Sequence, residues 1–207
     1  MSPDIVAIDG PGGSGKSTVA RTLARRLGWA YLDTGAMYRA VTAEVLAQRV
    51  PVNDEEAVIA LAAAAVIATT PRVSINGRDV EGEIRSDPVN DHVSAVAAIP
   101  AVRVAMVERQ RAWAAAQMRG AVVEGRDITT VVFPHATLKV YLTASFAERA
   151  RRREDESAQA LGRRDTADHA RVVSPLVQAA DAVVIDTTNL SVEAVVEEIV
   201  SCLRTSS

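Results

Sequence analysis

The segment Gly10-Pro11-Gly12-Gly13-Ser14-Gly15-Lys16-Ser17, followed by Thr18, fits G-x-x-x-x-G-K-[ST]. Its chemistry follows from its residue types. Glycines let consecutive backbone amides turn inward around phosphate oxygens without Cβ obstruction. Lys16 supplies a cation that can follow a transferring phosphoryl group, and Ser17 a hydroxyl suited to Mg²⁺. The apolar run Ile5–Asp9 precedes the segment, and an amphipathic stretch follows it. It therefore reads as a strand, a turn and a helix whose N-terminus adds partial positive charge. Such a loop serves kinases, GTPases, ATPases and nucleotide sensors alike. An Asn-Lys-x-Asp tetrad, which would read a guanine base, is absent, and 207 residues are few for a motor ATPase. A small-molecule kinase leads on these grounds.

A second group could hold the acceptor. In "LDTGAMYRA", Asp33 ends a strand and can orient water or Mg²⁺. Thr34 is placed to cap the next helix, and Arg39, further along it, can grip phosphate bidentately. Ser94 and Arg103 flank a helix-turn-helix junction. Arg126-Asp127 follow the strand Ala121–Gly125, at the carboxyl end where open α/β sheets place ligands. Arg164 and Arg171 stand seven apart with Asp168 between them, a spacing that shares one helical face. Taken singly, each of these residues also fits a solvated charge or a structural ion pair.

The elements that must position these groups alternate. Strands are expected at Ile5–Asp9, 29–33, Ala121–Gly125, Leu138–Thr143 and 182–187. Helices are expected over Lys16–Leu27, stopped by Gly28; from Thr34 to about Gln48; from Asn53 or Asp54 to about Ala68; over 90–98 and 100–117; and after a Ser191 cap. Asn76-Gly77 signals a hairpin between Pro71 and Gly82. This is an α/β chain with a parallel sheet covered on both faces and a small antiparallel insert.

Composition agrees. Hydrophobic residues make up 48% of the chain, enough for a sizeable core, and the net charge of −3 gives no reason to expect nucleic acid or membrane as partner. No window reaches membrane-spanning length, no leader pattern opens the chain, and a cytoplasmic location is expected. The lone Cys202 allows no intramolecular disulfide. His92, His135 and His169 share no metal-ligand spacing, and Trp29 and Trp113 read as packing residues.

Six segments, "DGPGGSGKST", "YLDTGAMYRA", "DVEGEIRS", "VSAVAAIPAVR", "VVEGRDITTVVFP" and "RVVSPL", follow in order the pattern of bacterial cytidylate kinases. The resemblance runs from Ile5 to the last helix. It implies a single three-layer P-loop nucleoside-monophosphate kinase domain over 1–207, with a five-stranded parallel sheet, a nucleotide-binding insert at about 69–92 and a helical lid at about 150–171. It further implies Mg²⁺-dependent transfer from ATP to CMP and dCMP in pyrimidine nucleotide metabolism, by a monomer. Residues 10–18 would bind ATP. Thr34, Arg39 and Arg126 would bind acceptor and phosphate, while Ser94, Arg103 and Asp127 would surround cytosine. Arg164 and Arg171 would close over the phosphates, and Asp168 would touch the sugar. Lys16, Arg126, Asp33 and Arg164 are the expected catalytic set, with Ser17 at the metal.

Chemistry suits these assignments, because a carboxylate can accept from the cytosine amino group, as acidic side chains do when reading cytosine in nucleic acid. The sequence departs from the family pattern in two places. The lid is shorter ahead of Arg164-Asp165, with Ala167 in place of a charged residue. Thr129 stands where the family has glycine, so a positive φ there would strain the backbone. Two further readings remain: a kinase of the same fold acting on UMP, other pyrimidines or a non-nucleotide alcohol, and a nucleotide-binding protein without efficient catalysis.

Overall fold

The computed structural model describes residues 3–153, 157–170 and 174–206, without the side chains of residues 164, 169 and 206. In chain order the elements are β1 (Ile5–Asp9), α1 (Lys16–Leu27), β2 (Ala30–Asp33), α2 (Thr34–Ala47), α3 (Glu55–Ala64), β3 (Ile67–Ala68), β4 (Ser74–Ile75) and β5 (Arg78–Asp79). There follow α4 (Asp87–Ala98), α5 (Pro100–Ala115), β6 (Ala121–Gly125), a π-helical turn (Ile128–Val132), β7 (Leu138–Thr143), α6 (Phe146–Arg152), α7 (Ala158–Ala170), β8 (Val183–Asp186) and α8 (Val192–Ser206). The chain divides into two compact units, one of Met1–Leu32 with Arg111–Ser207 and one of Asp33–Gln110.

The first unit is built on strands too apolar to face water. Every residue of β1 and β6 is buried, as expected for central parallel strands covered on both faces. The five-stranded sheet has the order β2-β6-β1-β7-β8, with β1 parallel to β6 and β7, and β7 parallel to β8. Against it pack Val19, Ala20, Leu23 and Ala24 of α1 and Val195, Val196, Ile199, Val200 and Leu203 of α8. The order reverses direction around β1, so the loops after β1 and β6 leave the sheet side by side. A crevice at such a switch point is where doubly wound sheets bind ligands.

In the second unit, α2 packs against α3 and α4, and β3-β4-β5 form a small antiparallel sheet turned at Asn76-Gly77. Three sequence expectations are corrected here. Asp33, not Thr34, caps α2: its backbone is still extended, and its Oδ1 accepts from the Ala36 amide at 2.9 Å, which makes Thr34 the first helical residue. The helix begun after Asp54 ends at Ala64 rather than near Ala68. Val66 exchanges its amide and carbonyl with Asn76, whose Oδ1 accepts at 3.0 Å and whose amide donates at 2.8 Å, and Ile67–Ala68 pair with β4. The next helix begins at Asp87, not Asn90, because Pro88 suits its first turn.

Candidate active site

Sequence and geometry meet first in the loop after β1. Gly10 has φ 149°, and a Cβ there would lie 2.0 Å from the Leu142 carbonyl oxygen. Gly13 has φ 77°, with a Cβ position 2.6 Å from the Arg149 carbonyl oxygen. Only glycine fits either place without backbone movement. Three successive carbonyls of the loop are each held by a cation. Arg126 Nη1 donates to Gly10, Lys16 Nζ to Pro11 at 2.8 Å, and Arg149 Nη1 to Gly12 at 3.0 Å. In a trans peptide the carbonyl and the following amide point opposite ways. Turning the carbonyls toward cations therefore turns the Gly12 and Gly13 amides the other way, and leaves them out of the carbonyls' hydrogen bonds. Gly15 then occupies the cap position of α1, with Lys16 and half-buried Ser17 in the first turn and Thr18 exposed beside them.

The electrostatics are those of a cation kept short of solvent. Burial pushes Lys16 from the ordinary 10.5 down to about 7, helped by the neighbouring Arg126 charge, while Glu124, Asp9 and Asp168 pull it back up. Glu124 is itself buried on β6 and accepts from the Tyr31 hydroxyl at 2.8 Å.

Arg126 and Asp127 follow β6, where the sequence puts them. Arg126 Nε also pairs with Asp168 Oδ2 at 2.8 Å, joining two of the expected acceptor residues. Asp127 is buried and opens the π-helical turn: its carbonyl accepts from the Val131 and Val132 amides at 2.9 and 3.1 Å. Thr129 carries no positive φ, so the strain expected at this β-branched residue does not arise. Its hydroxyl and amide instead bond Asp9 Oδ2 at 2.6 and 2.7 Å, and the Ile128 amide donates to Asp9 Oδ1 at 2.9 Å. Burial pushes the Asp9 carboxyl up against the pull of these donors. The backbone of Arg164 lies in α7, its side chain is not described, and Arg171 lies outside the described residues.

The second unit holds the remaining expected residues. Arg39 is buried on α2, where Nη1 donates to the Ile84 carbonyl at 2.6 Å and to Asn90 Oδ1 at 2.8 Å. Arg103 is buried on α5, donates to the Ala97 carbonyl at 3.0 Å and lies over the Tyr38 ring at 5.5 Å. Ser94 is half-buried on α4, Thr34 is buried in the first turn of α2, and Asp33 spends one carboxylate oxygen as its cap.

Three residues join the site that no sequence motif marked: Asp9, Arg149 and Thr187. Arg149 pairs with Asp165 Oδ2 at 2.5 Å while holding Gly12. The Thr187 hydroxyl, after β8, accepts from Arg152 Nη1 at 2.8 Å and lies 3.0 Å from the Ser14 carbonyl oxygen. Asp9 ends an apolar strand and opens the first of the six family-like segments, but neither fact assigns it a role; Arg149 and Thr187 belong to none of those segments.

For a metal, the donor set is one hydroxyl, Ser17. Among the described residues no cluster of three His, Cys, Asp or Glu side chains could hold an ion. Mg²⁺ is a cation that keeps several waters and takes other ligands from substrate phosphates, so a single hydroxyl such as that of Ser17 is compatible with it. Among those residues, too, no helix is long and apolar enough to cross a membrane.

A parallel sheet with a phosphate-cradling loop after its central strand, a buried lysine and a strand-end arginine define a P-loop phosphotransferase of the α/β class. The fold matches that of a gluconokinase from Sinorhizobium meliloti, at TM-score 0.51 and 15% identity, over 98% of this chain and 93% of the other. The cytidylate kinase profile matches residues 6–205. The chain is 46% identical to the cytidylate kinase of Streptomyces griseus, covering 97% of this chain and 92% of the relative. It is 48% identical to that of Nocardia farcinica, covering 96% and 92%. The chain belongs to the cytidylate kinase family.

Proposed function

We propose that the protein transfers the γ-phosphoryl group of ATP to CMP, and to dCMP, giving ADP and CDP or dCDP in pyrimidine nucleotide metabolism. The observation that carries this reading is the fixing of the Gly10, Pro11 and Gly12 carbonyls by Arg126, Lys16 and Arg149, in a chain of this family. The loop amides and the Lys16 ammonium bind the triphosphate of the donor, with residues 10–18 around it. Lys16 and Arg126 stabilise charge as it moves between the nucleotides, helped by Asp33 and Arg164, which orient the reactants. Thr34, Arg39 and Arg171 bind the acceptor phosphate. Ser94, Arg103 and Asp127 read cytosine, with Asp127 accepting from its amino group, and Asp168 meets the sugar.

Mg²⁺, held by Ser17 and the phosphates, would neutralise charge across the transferring oxygens. Residues 69–92 form the acceptor-binding insert and residues 150–171 the lid, whose closure excludes water. The protein acts in the cytoplasm as a monomer. Phosphorus NMR of a mixture of ATP, CMP and Mg²⁺ with the protein tests the reading. Resonances of CDP and ADP appear together in equal amounts and fail to appear when a chelator is present. Release of inorganic phosphate in place of CDP would overturn it.

A further inference from the structure

The loop after β1 and the segment after β6 are joined at two adjacent points. At one, Arg126 reaches back from the β6 side to the Gly10 carbonyl. At the other, Asp9, the residue before Gly10, reaches the opposite way. Its carboxylate takes the Ile128 amide on one oxygen and both the amide and the hydroxyl of Thr129 on the other, at 2.6–2.9 Å. Asp9 is 0% and Thr129 1% exposed, so water cannot substitute for a lost donor at little cost.

Residues 126–129 are therefore stapled at each end to residues 9 and 10. Asp127 sits inside the staple, and the π-helical turn closes on its carbonyl. With the backbone on both sides of it held, Asp127 projects its carboxylate from a fixed point of the chain. Ile128 and the backbone amide of Thr129 would donate to Asp9 whatever side chain stood at 129. The hydroxyl is the contribution peculiar to Thr129, and it is aimed at the oxygen that already receives the amide.

We propose that Asp9 and Thr129 are positioning residues that fix Asp127 against the phosphate loop, so that the Thr129 hydroxyl sharpens discrimination of the acceptor base. This rests on the proposed cytosine-reading role of Asp127. Removing the hydroxyl loosens the segment, lets the Asp127 carboxylate move away from a repelling base edge, and lowers the penalty on the wrong pyrimidine. The loss falls on base choice, while the donor side keeps its lysine and its amides.

The test compares Thr129→Val, which keeps the shape and deletes the hydroxyl, with Thr129→Ser, which keeps the hydroxyl. Each is measured for kcat/KM with CMP and with UMP, for the KM of ATP, and for exchange of the Ile128 and Thr129 amides with deuterium. The expected result is a fall of about tenfold in the CMP to UMP ratio for Thr129→Val, faster exchange at both amides and an unchanged KM for ATP. Thr129→Ser should restore the ratio and the protection. A merely structural role would lower the melting temperature and leave the ratio alone.

An active Thr129→Val protein with the wild-type ratio would overturn the positioning role, whatever its amide exchange. If Thr129→Val does not fold, a Thr129→Ser ratio about tenfold below wild type would equally overturn it, because the hydroxyl is still present. Wild-type protein that leaves CMP untouched refutes the acceptor reading instead, and the selectivity role falls with it.

Discussion

Binding of a nucleoside triphosphate to residues 10–17 is expected to draw a proton onto Lys16, more of it as the pH rises. Burial and the Arg126 charge hold Lys16 at about 7, so it is charged below that pH and neutral above it. A polyphosphate arriving at about 4 Å, at an effective dielectric constant of about 20, interacts with the ammonium by about 4 kcal/mol. That corresponds to about 3 pKa units, enough to restore an ordinary lysine in the complex. The sign follows directly. Below pH 7 the proton is already present and none is taken up. Above it, binding must supply one. Uptake should be about 0.1 proton at pH 6, about 0.5 at pH 7 and about 0.9 at pH 8. Affinity should weaken with pH in the same range, by about tenfold at pH 8 relative to the acid limit, or about 1.4 kcal/mol. Titration calorimetry with a non-hydrolysable ATP analogue and Mg²⁺, in pairs of buffers differing in ionisation heat, reads the uptake at each pH. Lys16→Met provides the background. Uptake that is absent, falls with pH or persists in Lys16→Met would refute the reasoning.

Other substitutions probe other links. Gly13→Ala places a methyl group 2.6 Å from the Arg149 carbonyl oxygen at φ 77°, and should cost about 1–3 kcal/mol of stability together with donor affinity, read by thermal melting and nucleotide titration. Asp127→Asn should bring the CMP and UMP rates together by about tenfold, since an amide can face either base; an unchanged ratio would remove Asp127 from base reading. Leu23→Ala, fully buried beneath the sheet, should lose about 2–5 kcal/mol in urea unfolding with kcat unchanged below the transition.

What could be read from the chain depended on how local its cause was. The phosphate loop and strands β1, β6 and β7 announce themselves through short apolar runs and glycine spacing, and Ser191 caps α8 through the Ala194 amide as its position suggests. Asp33 and Thr34 are both competent caps; extended backbone at Asp33 decides between them, and sequence does not report it. The alanine-rich helix looked longer than it is because the Asn76 amide that captures Val66 belongs to a hairpin ten residues on. Thr129 was misjudged for the same reason at longer range: its partner Asp9 lies 120 positions away. Arg149 reaches Gly12 over 137 positions, so only the folded sheet reveals it as part of the loop. Elements set by a local pattern were legible, and residues that hold a partner far along the chain were not.

The central claim is tested most directly by ADP release with Mg²⁺ and ATP, measured in parallel with CMP, dCMP, UMP, AMP, GMP and no acceptor. The account predicts strong release with CMP and dCMP and only background with the rest. Release that is independent of any acceptor, or absent with every one, would contradict it.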